Sequence, residues 1–318
     1  MSTQNLRLSV IVPVYNEEEN LPSLKERLFK MMDQMRLSGI EPEVIFVDDH
    51  SLDKTPLIIK DICEEVNSIN FLRLSKNSGS HIAILAGLNY ADGDYAVFLA
   101  ADLQDPPELI NAMLLKAKQG YHVVWALRKK IEGISLLTRL NSKIFNLLFN
   151  RFTNLNYSGA DFALLDKKVY KKLVKEAGSK PSLGALIAWM GFNQTGVEYI
   201  KEARLRGKSK WTLSKKINAF IDAFVGFSYL PMRFMSIIGL ITALGGFFYA
   251  SIVIFLKLVF NTQIQGWTSM MVVVLILGGI QMLMIGVLGE YLWRNLEESR
   301  KRSLYHIESA SELFEKKL

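Results

Sequence analysis

The chain of 318 residues is long enough for one large domain or two smaller ones. Half of its residues are hydrophobic and its formal net charge is +7, but no known nucleic-acid-binding module or aromatic platform accompanies the charge, which disfavours nucleic acid as a partner. Its four histidines and single cysteine are too scattered for a zinc site. The lone Cys63 can form no internal disulfide, which fits a reducing compartment for residues 1 to about 230.

The first 130 residues alternate short β-branched runs with helical patterns. Strands are predicted at 8–16, 43–49, 70–75, 94–102 and 122–127, and helices at 21–36, 54–66, 82–90 and 107–118. This alternation predicts an α/β domain with a parallel sheet covered on both faces. The strands end in polar groups, which is where open α/β sheets bind ligands. The sequence lacks the glycine patterns of a Rossmann dehydrogenase and of a P-loop nucleotidase, so both classes are disfavoured.

The fourth predicted strand runs into FLAADLQDPPELI at residues 98–110, where Asp102, Asp105 and Glu108 lie close together in sequence. A solvated acidic turn is one interpretation, and a site for a metal and a phosphate is the other. Carboxylate and amide oxygens suit Mg²⁺ or Mn²⁺, which usually bind one or two carboxylates together with substrate phosphates. A diphosphate-containing donor fits this pattern, because the metal would neutralise charge on the leaving nucleoside diphosphate.

A basic segment and an amphipathic stretch come next. Residues 201–216, KEARLRGKSKWTLSKK, hold seven Lys or Arg and one Glu. Such a segment before a membrane span is expected to face anionic headgroups or a phosphorylated substrate at the membrane surface. Residues 213–230 place apolar side chains on one helical face, which fits either a juxtamembrane helix in the interface or a helix packed on the domain.

Two long stretches without charged residues follow, separated by Lys257. Each exceeds the roughly 18 to 20 apolar residues that cross a hydrocarbon core, so transmembrane helices are predicted at 231–259 and 267–289. The link between them carries no Lys or Arg, whereas both flanks do, and the positive-inside rule therefore places both flanks in the cytoplasm. Residues 290–318 are predicted to be a cytoplasmic tail that forms a solvated helix.

Four stretches resemble, in order, motifs of the inverting family-2 glycosyltransferases of the GT-A fold: VIVPVYNEEENL, VDDHSLDKT, ADLQDPPE and RLRGKSKW. The two predicted spans narrow the resemblance to polyprenyl-phosphate glycosyltransferases, which are related to dolichol-phosphate mannose synthase. The chain looks most similar to bacterial enzymes that charge undecaprenyl phosphate with glucose for O-antigen, lipopolysaccharide or surface-polymer modification. The resemblance covers residues 6 to 295 and implies a Rossmann-like GT-A domain with a mostly parallel sheet over 1–212, tethered to the cytoplasmic (inner) membrane.

The resemblance also implies the reaction, a direct displacement that passes a sugar from a nucleotide to a polyprenyl phosphate with inversion. UDP-glucose is the expected donor, while GDP-mannose, UDP-galactose, UDP-N-acetyl sugars and UDP-aminoarabinose stay open. The expected assembly is a homotetramer. Two rival functions are a processive polysaccharide synthase, which would need more spans and a Q-x-x-R-W signature absent here, and a nucleotide-sugar sensor without metal chemistry.

The family motifs assign roles to individual residues of this chain. The nucleotide would be bound by Pro13, Tyr15, Asn16, Glu17, Asp48 and Asp49. Mg²⁺ or Mn²⁺ would be held by Asp102 and Gln104, and Asp161 would lie near the sugar and the acceptor, so that Asp102 and Asp161 carry the catalytic roles. The acceptor or donor phosphates would be bound by Arg128, Arg139, Ser142, Arg204, Ser209 and Lys210.

The chain departs from the family pattern in three places, one of which is Ser80 with His81, where some relatives have a charged pair. Ala100 stands where the D-x-D motif has its first Asp, so metal binding would rest on Asp102 with help from Gln104 or Asp105. His50 stands where many relatives have Gly, so the turn after the second strand is expected to differ.

Overall fold

The computed structural model describes residues 6–128, 162–178, 183–200, 230–260, 266–300 and 302–316. The chain divides into two compact units. The first unit contains residues 1–220 together with 303–318, and the second contains residues 221–302. Both ends of the chain therefore belong to the same unit.

The described residues of the first unit form one sheet with helices packed on it. The strands are β1 (Leu6–Val14), β2 (Ile40–Asp48), β3 (Ile69–Leu74), β4 (Tyr95–Phe98), β5 (Val123–Arg128), β6 (Ala163–Asp166), β7 (Gln194–Tyr199) and β8 (Ile307–Ala310). The helices are α1 (Leu21–Leu37), α2 (Thr55–Glu65), α3 (Ser80–Tyr90), α4 (Leu109–Lys118), α5 (Lys167–Glu176), α6 (Leu183–Trp189) and α9 (Glu312–Glu315).

The sheet has the order β7-β5-β6-β4-β1-β2-β3-β8. Strands β4, β1, β2 and β3 are parallel neighbours, as are β5 and β7, whereas β6 and β8 run antiparallel to the strands they join. The prediction of a mostly parallel sheet is therefore confirmed. Because the carboxyl ends of β1, β2 and β4 lie side by side, the loops that follow them meet at one edge.

Apolar periodicity explains how the helices attach to the sheet. In α1 the residues at helical spacing are all buried: Leu21, Leu24, Leu28, Met31, Met32 and Met35. They pack with the apolar side chains of β1 and β2 in the main core. A proline near the first turn of α1 and of α2 suits a position whose N–H has no partner within the helix. The stripe predicted for the first helix is confirmed.

Two sequence predictions about the ends of elements are wrong. The fourth strand ends at Phe98, not at residue 102, because the chain leaves the sheet to form turns over the next residues. Residues 290–318 do not form one solvated helix, since Ile307–Ala310 is strand β8 on the outer edge of β3. Phe314, which follows β8, is buried against Tyr90 with ring centroids 5.0 Å apart. Burial of this ring and pairing of the open β3 edge favour the docked strand over a helix in solvent.

The second unit consists, in its described residues, of two long helices, α7 (Leu230–Phe260) and α8 (Trp267–Ser299). Within Met232–Leu256 and Val272–Ser299 the most apolar 18-residue windows have mean hydropathies of 2.2 and 2.5, and both segments are long enough to cross a membrane. The helices touch at Gly239, where an added Cβ would lie 3.2 Å from the Met284 Cε atom. The predicted amphipathic helix at 213–230 lies almost wholly outside the described residues.

Candidate active site

A cavity of about 220 Å³ opens where the carboxyl ends of β1, β2 and β4 meet, and we call it the central cavity. It is lined by Pro13, Val14, Tyr15, Glu17, Asp49, Asn77, Gly79, Ser80, Ala100, Ala101 and Asp102. Five residues predicted to bind nucleotide or metal are thereby brought together: Pro13, Tyr15, Glu17, Asp49 and Asp102. A polar concave site with carboxylates at the ends of parallel strands can hold a charged ligand together with a cation.

The loop after β1 is fastened to the loop after β2 through Asn16. Its backbone N–H donates to the Ser51 hydroxyl at 2.9 Å, and its side-chain oxygen accepts the Leu52 N–H at 2.8 Å. Asn16 has a φ of 49°, a left-handed conformation that needs support from its surroundings in a residue other than glycine. The neighbouring Glu17 N–H donates to the Thr55 hydroxyl at 2.8 Å. Asn16 therefore shapes the cavity wall and is not among the residues that line it.

Asp48 and Asp49, predicted to act together on the nucleotide, lie in different places. Asp49 lines the central cavity, and its carboxylate accepts the Ser78 and Gly79 N–H groups at 2.6 and 2.8 Å. Asp48 is buried, accepts the Ser51 N–H at 3.0 Å and pairs with Arg73. Adjacent residues at a strand end point to opposite faces, which accounts for the separation.

The pKa of Asp49 reflects this environment. Burial raises it above its ordinary value, and the nearby Asp48 acts in the same direction. The two N–H donors from Ser78 and Gly79 oppose that rise because they stabilise the ionised form. The structure thus holds Asp49 as an acceptor that is partly removed from water.

A second cavity of about 560 Å³ lies beside Asp48, and we call it the edge cavity. Its wall is formed by the loop after β2, by α2 and by the edge strands β3 and β8. Although it is the larger of the two, of the residues predicted for the site it includes only Asp48. The motif residues identify the central cavity as the candidate site.

The segment after β4 carries the predicted metal ligands. Asp102 lines the central cavity, and its carboxylate accepts the Gln104 backbone N–H at 3.2 Å. Between them Leu103 has a φ of 58°, which turns the chain sharply. Ala100 also lines the cavity, so the position of the missing Asp faces the site.

Asp105, predicted as a helper ligand, has a different role in the structure. It is only 3% exposed, it is not among the residues lining the central cavity, and it accepts a hydrogen bond from the Tyr199 hydroxyl. Burial and this bond raise the pKa of Tyr199. Arg128 contacts the same hydroxyl from the end of β5. Asp105 therefore anchors the segment that carries Asp102, and the helper assignment is not supported by its position.

Among the residues that the structure describes, no three His, Cys, Asp or Glu side chains gather closely enough to enclose an ion. Asp102 with Gln104 still suits Mg²⁺ or Mn²⁺, because these ions bind through one or two protein groups and complete their shell with substrate phosphates and water.

Several predicted residues lie outside the described parts of the chain. They are Asp161, Arg139, Ser142, Arg204, Ser209 and Lys210. The described chain resumes at Phe162, which is buried and whose carbonyl accepts the Ala126 N–H at 3.0 Å. The next residue, Ala163, pairs with Phe98 at the carboxyl end of β4.

Sequence reasoning noted Ser80 and His81 as a departure from relatives but gave the loop after β3 no place in the site. Asn77, Gly79 and Ser80 line the central cavity, and the N–H groups of Ser78 and Gly79 hold Asp49. Gly79 has a φ of 92°, which strongly favours glycine. The N-S-G sequence directly after a predicted strand was the available signal.

Comparison with known proteins identifies relatives over most of the chain. The family model described as Glycosyl transferase family 2 matches residues 9–174. The uncharacterized glycosyltransferase YkcC of Bacillus subtilis is 36% identical, covering 99% of this chain and 98% of that protein. The bactoprenol glucosyl transferase of Shigella phage SfV is 31% identical, covering 96% and 99%. Glucosyl-3-phosphoglycerate synthase from Mycobacterium tuberculosis superposes with a TM-score of 0.50 at 16% identity, over 69% of this chain and 80% of that one, a likeness of fold alone.

Proposed function

The chain belongs to glycosyl transferase family 2 and has the GT-A fold, and we propose that it transfers one sugar from a nucleotide to a polyprenyl phosphate with inversion. The central cavity is the observation that carries this proposal, because it brings the nucleotide and metal motifs of the family to one place. The likeness to a bactoprenol glucosyl transferase extends over 96% of the chain and supports a polyprenyl phosphate as the acceptor. It also makes UDP-glucose the first donor to test.

The nucleotide is proposed to lie along the loops after β1 and β2. Pro13 and Tyr15 offer an apolar and aromatic surface for the base. Asp49 accepts a hydrogen bond from the base or from a ribose hydroxyl, in addition to those from Ser78 and Gly79. Asn16 shapes the wall of the central cavity through its bond to Ser51. Asp48 does not line the cavity but holds Ser51 in place by accepting its N–H.

The donor diphosphate is proposed to lie beside Asp102 and Gln104. A divalent cation held there would supply positive charge to the departing nucleoside diphosphate. With Ala100 at the position of the first Asp, Asp102 provides the carboxylate that this segment brings into the cavity. The donor phosphates therefore contribute a large share of the binding of the cation.

The displacement needs little proton transfer. The second pKa of a phosphate monoester is near 6, so the acceptor phosphate is largely ionised at neutral pH. One of its oxygens forms the new bond to the anomeric carbon while the bond from that carbon to the donor phosphate oxygen breaks. The protein contributes chiefly position and charge. Asp161 is accordingly proposed to orient the reacting groups.

The acceptor phosphate is proposed to meet a set of basic and hydroxyl side chains. They are Arg128, Arg139, Ser142, Arg204, Ser209 and Lys210. Arginine forms paired hydrogen bonds with phosphate oxygens, and lysine adds a compact charge. Of these, Arg128 lies among the described residues and is exposed at the end of β5.

The two apolar helices are proposed to cross the membrane as a hairpin. Residues on both sides of α7 and α8 belong to the same folded unit. A chain that leaves a unit, crosses a bilayer and returns to that unit must cross an even number of times. Arg233 in the first turn of α7, Arg294 in the last turns of α8 and Arg300 just after α8 favour a cytoplasmic location for that unit.

A transfer assay with the full-length protein in detergent tests the function. Radiolabelled UDP-glucose, UDP-galactose, UDP-N-acetylglucosamine, UDP-aminoarabinose and GDP-mannose would each be incubated with undecaprenyl phosphate and Mn²⁺ or Mg²⁺. Label in a lipid carrying one sugar supports the proposal and identifies the donor. Label in a polymer would support a processive synthase, and donor binding without transfer would support a sensor.

A further inference from the structure

The strand β8 gives the sheet an edge that comes from the far end of the chain. It pairs antiparallel with β3, and the Ser75 N–H donates to the His306 carbonyl at 2.9 Å. At the other end the Ser311 N–H donates to the Phe71 carbonyl at 3.0 Å. These bonds and the buried Phe314 place Glu308 at a fixed point of the edge cavity wall.

Glu308 meets the sheet mainly through Arg73, and its carboxylate also lies 3.5 Å from the His50 Nδ1 atom in the loop after β2. The Arg73 Nε donates to the Glu308 carboxylate at 2.7 Å, one terminal nitrogen pairs with Asp48, and the other donates to the Ser51 carbonyl at 3.2 Å. One guanidinium therefore holds β8, the end of β2 and the following loop. Side-chain exposure falls along this series, from 48% for Glu308 through 19% for Arg73 to 1% for Asp48.

The series continues to the wall of the central cavity. Asp48 accepts the Ser51 N–H at 3.0 Å, and the Ser51 hydroxyl accepts the Asn16 N–H at 2.9 Å. Asn16 is left-handed at 49°, and His50 in the adjoining loop is left-handed at 62°. Backbone of this kind keeps its shape only when several contacts fix it. Asn16 stands between Tyr15 and Glu17, both of which line the central cavity.

We propose that β8 is a positioning element for the donor site, with Glu308 aligning Arg73 so that Arg73, Asp48 and Ser51 fix the loop that carries Tyr15 and Glu17. This inference rests on the proposed function, because it takes the central cavity as the donor site. Glu308 and Arg73 touch no reacting group in this scheme. They affect the affinity for the nucleotide more than they affect the rate of sugar transfer once the donor is bound.

The exposure of Glu308 makes the inference testable. An exposed ion pair contributes little to folding, so a purely structural role predicts almost no change in any property when Glu308 is replaced. A positioning role predicts a selective loss of nucleotide affinity. Glu312 provides a matched control, since it is an exposed acid on the same C-terminal segment outside the series.

The experiment measures the Kd for UDP and for GDP in the presence of Mn²⁺ by calorimetry on the full chain in detergent. We expect Glu308→Ala to raise the Kd for UDP about two- to five-fold, the range of one exposed ion pair. Glu308→Asp should restore part of the affinity, and Glu312→Ala should match the wild type. We expect Arg73→Lys to raise the Kd more than about ten-fold, because lysine cannot replace a forked guanidinium beside a buried carboxylate.

Steady-state kinetics and a double variant test whether Glu308 and Arg73 act through one series of contacts or independently of each other. The KM for the donor should rise in Glu308→Ala while kcat at saturating donor stays near the wild-type value. The double variant of Glu308→Ala with Arg73→Lys should bind UDP only slightly more weakly than Arg73→Lys alone, because both changes break the connection through Arg73 and Glu308→Ala additionally removes only the contact with His50. If Arg73→Lys does not fold, the Glu308 and Glu312 variants decide the question.

The outcomes distinguish this inference from the function on which it rests. Wild-type protein that binds neither UDP nor GDP would overturn the donor site and the inference together. Wild-type protein that binds UDP, with Glu308→Ala and Glu312→Ala both matching it, would overturn the inference and leave the proposed function standing.

Discussion

Removing the Tyr199 hydroxyl should lower the stability of the fold and raise the Mn²⁺ concentration that turnover requires. Tyr199→Phe keeps the ring, which is 7% exposed, and deletes the donor to Asp105, which is 3% exposed. A hydrogen bond to a charged group contributes about 1.5 to 3 kcal/mol to folding. At 1.4 kcal/mol per factor of ten, this corresponds to about ten- to 140-fold in the folding equilibrium. For a unit of this size the melting midpoint should fall by roughly 3 to 12 °C.

Tyr199→Phe should also weaken binding of the metal at its proposed site. Asp105 lies three positions after Asp102 and one after Gln104, and its bond to Tyr199 anchors that segment. Loss of support behind metal ligands commonly costs about ten- to 100-fold in metal affinity or activity. We expect the half-saturating Mn²⁺ concentration to rise about ten-fold in Tyr199→Phe, at the lower end of that range. Initial transfer rates over a Mn²⁺ titration at saturating donor measure it.

Tyr170→Phe is the matched control. Its hydroxyl is also buried and donates to the Gly93 carbonyl at 2.6 Å, before the first residue of β4 and away from the carboxyl ends of the strands. A bond to a neutral carbonyl contributes about 0.5 to 1.5 kcal/mol, so Tyr170→Phe should lower the melting midpoint without moving the Mn²⁺ titration. If Tyr199→Phe moves that titration no more than Tyr170→Phe does, Asp105 does not support the metal ligands and the reasoning fails.

Three further outcomes follow from the site. Asp102→Asn should reduce Mn²⁺-dependent turnover at least about 100-fold, as expected for loss of a metal-bound carboxylate, and full activity in a Mn²⁺ titration would contradict its role. Asp161→Asn should lower kcat while leaving the Kd for UDP unchanged, and undiminished turnover would remove Asp161 from the site. Burial raises the pKa of Asp49 above its ordinary 3.8, so the folded state holds this proton more tightly than the unfolded chain and loses stability as pH rises from about 4 through the raised pKa. Asp49→Asn removes that loss, so the melting temperature of the variant minus that of the wild type should be more positive at about pH 7.5 than at about pH 4.5, and an equal difference at both would refute the assignment.

Local periodicity was sufficient to predict the order of strands and helices over the first 130 residues of the first unit. The α1 stripe from Leu21 to Met35 and the buried runs of β1 and β2 follow from spacing that neighbouring residues set among themselves. The site followed in part from the same logic, because parallel strands bring their carboxyl ends together. Asp49 and Asp102 meet at the central cavity for that reason.

What escaped prediction depends on partners far away in sequence. Asp105 is buried because Tyr199, 94 positions later, covers and binds it. Asp48 is held by Arg73 from the next strand, and Arg73 in turn by Glu308 from the chain's far end. The separation of Asp48 from Asp49 was accessible in principle, since neighbours on a strand face opposite ways. Reading the pair as one motif obscured that alternation.

The first unit is built from two separate parts of the chain, residues 1–220 and 303–318, and this imposes an order on its assembly during synthesis. On the ribosome, residues 6–199 can assemble every strand of the sheet except β8, which emerges only after both long helices have been made. Until then the edge of β3 stays open to pairing with other chains, a state that invites aggregation and proteolysis. Nascent chains released before residue 307 would possess the donor motifs without the strand proposed to organise them. On the proposed role of β8, the donor site would reach its final shape, and its full affinity for the nucleotide, only after the segments proposed as the membrane anchor have been made.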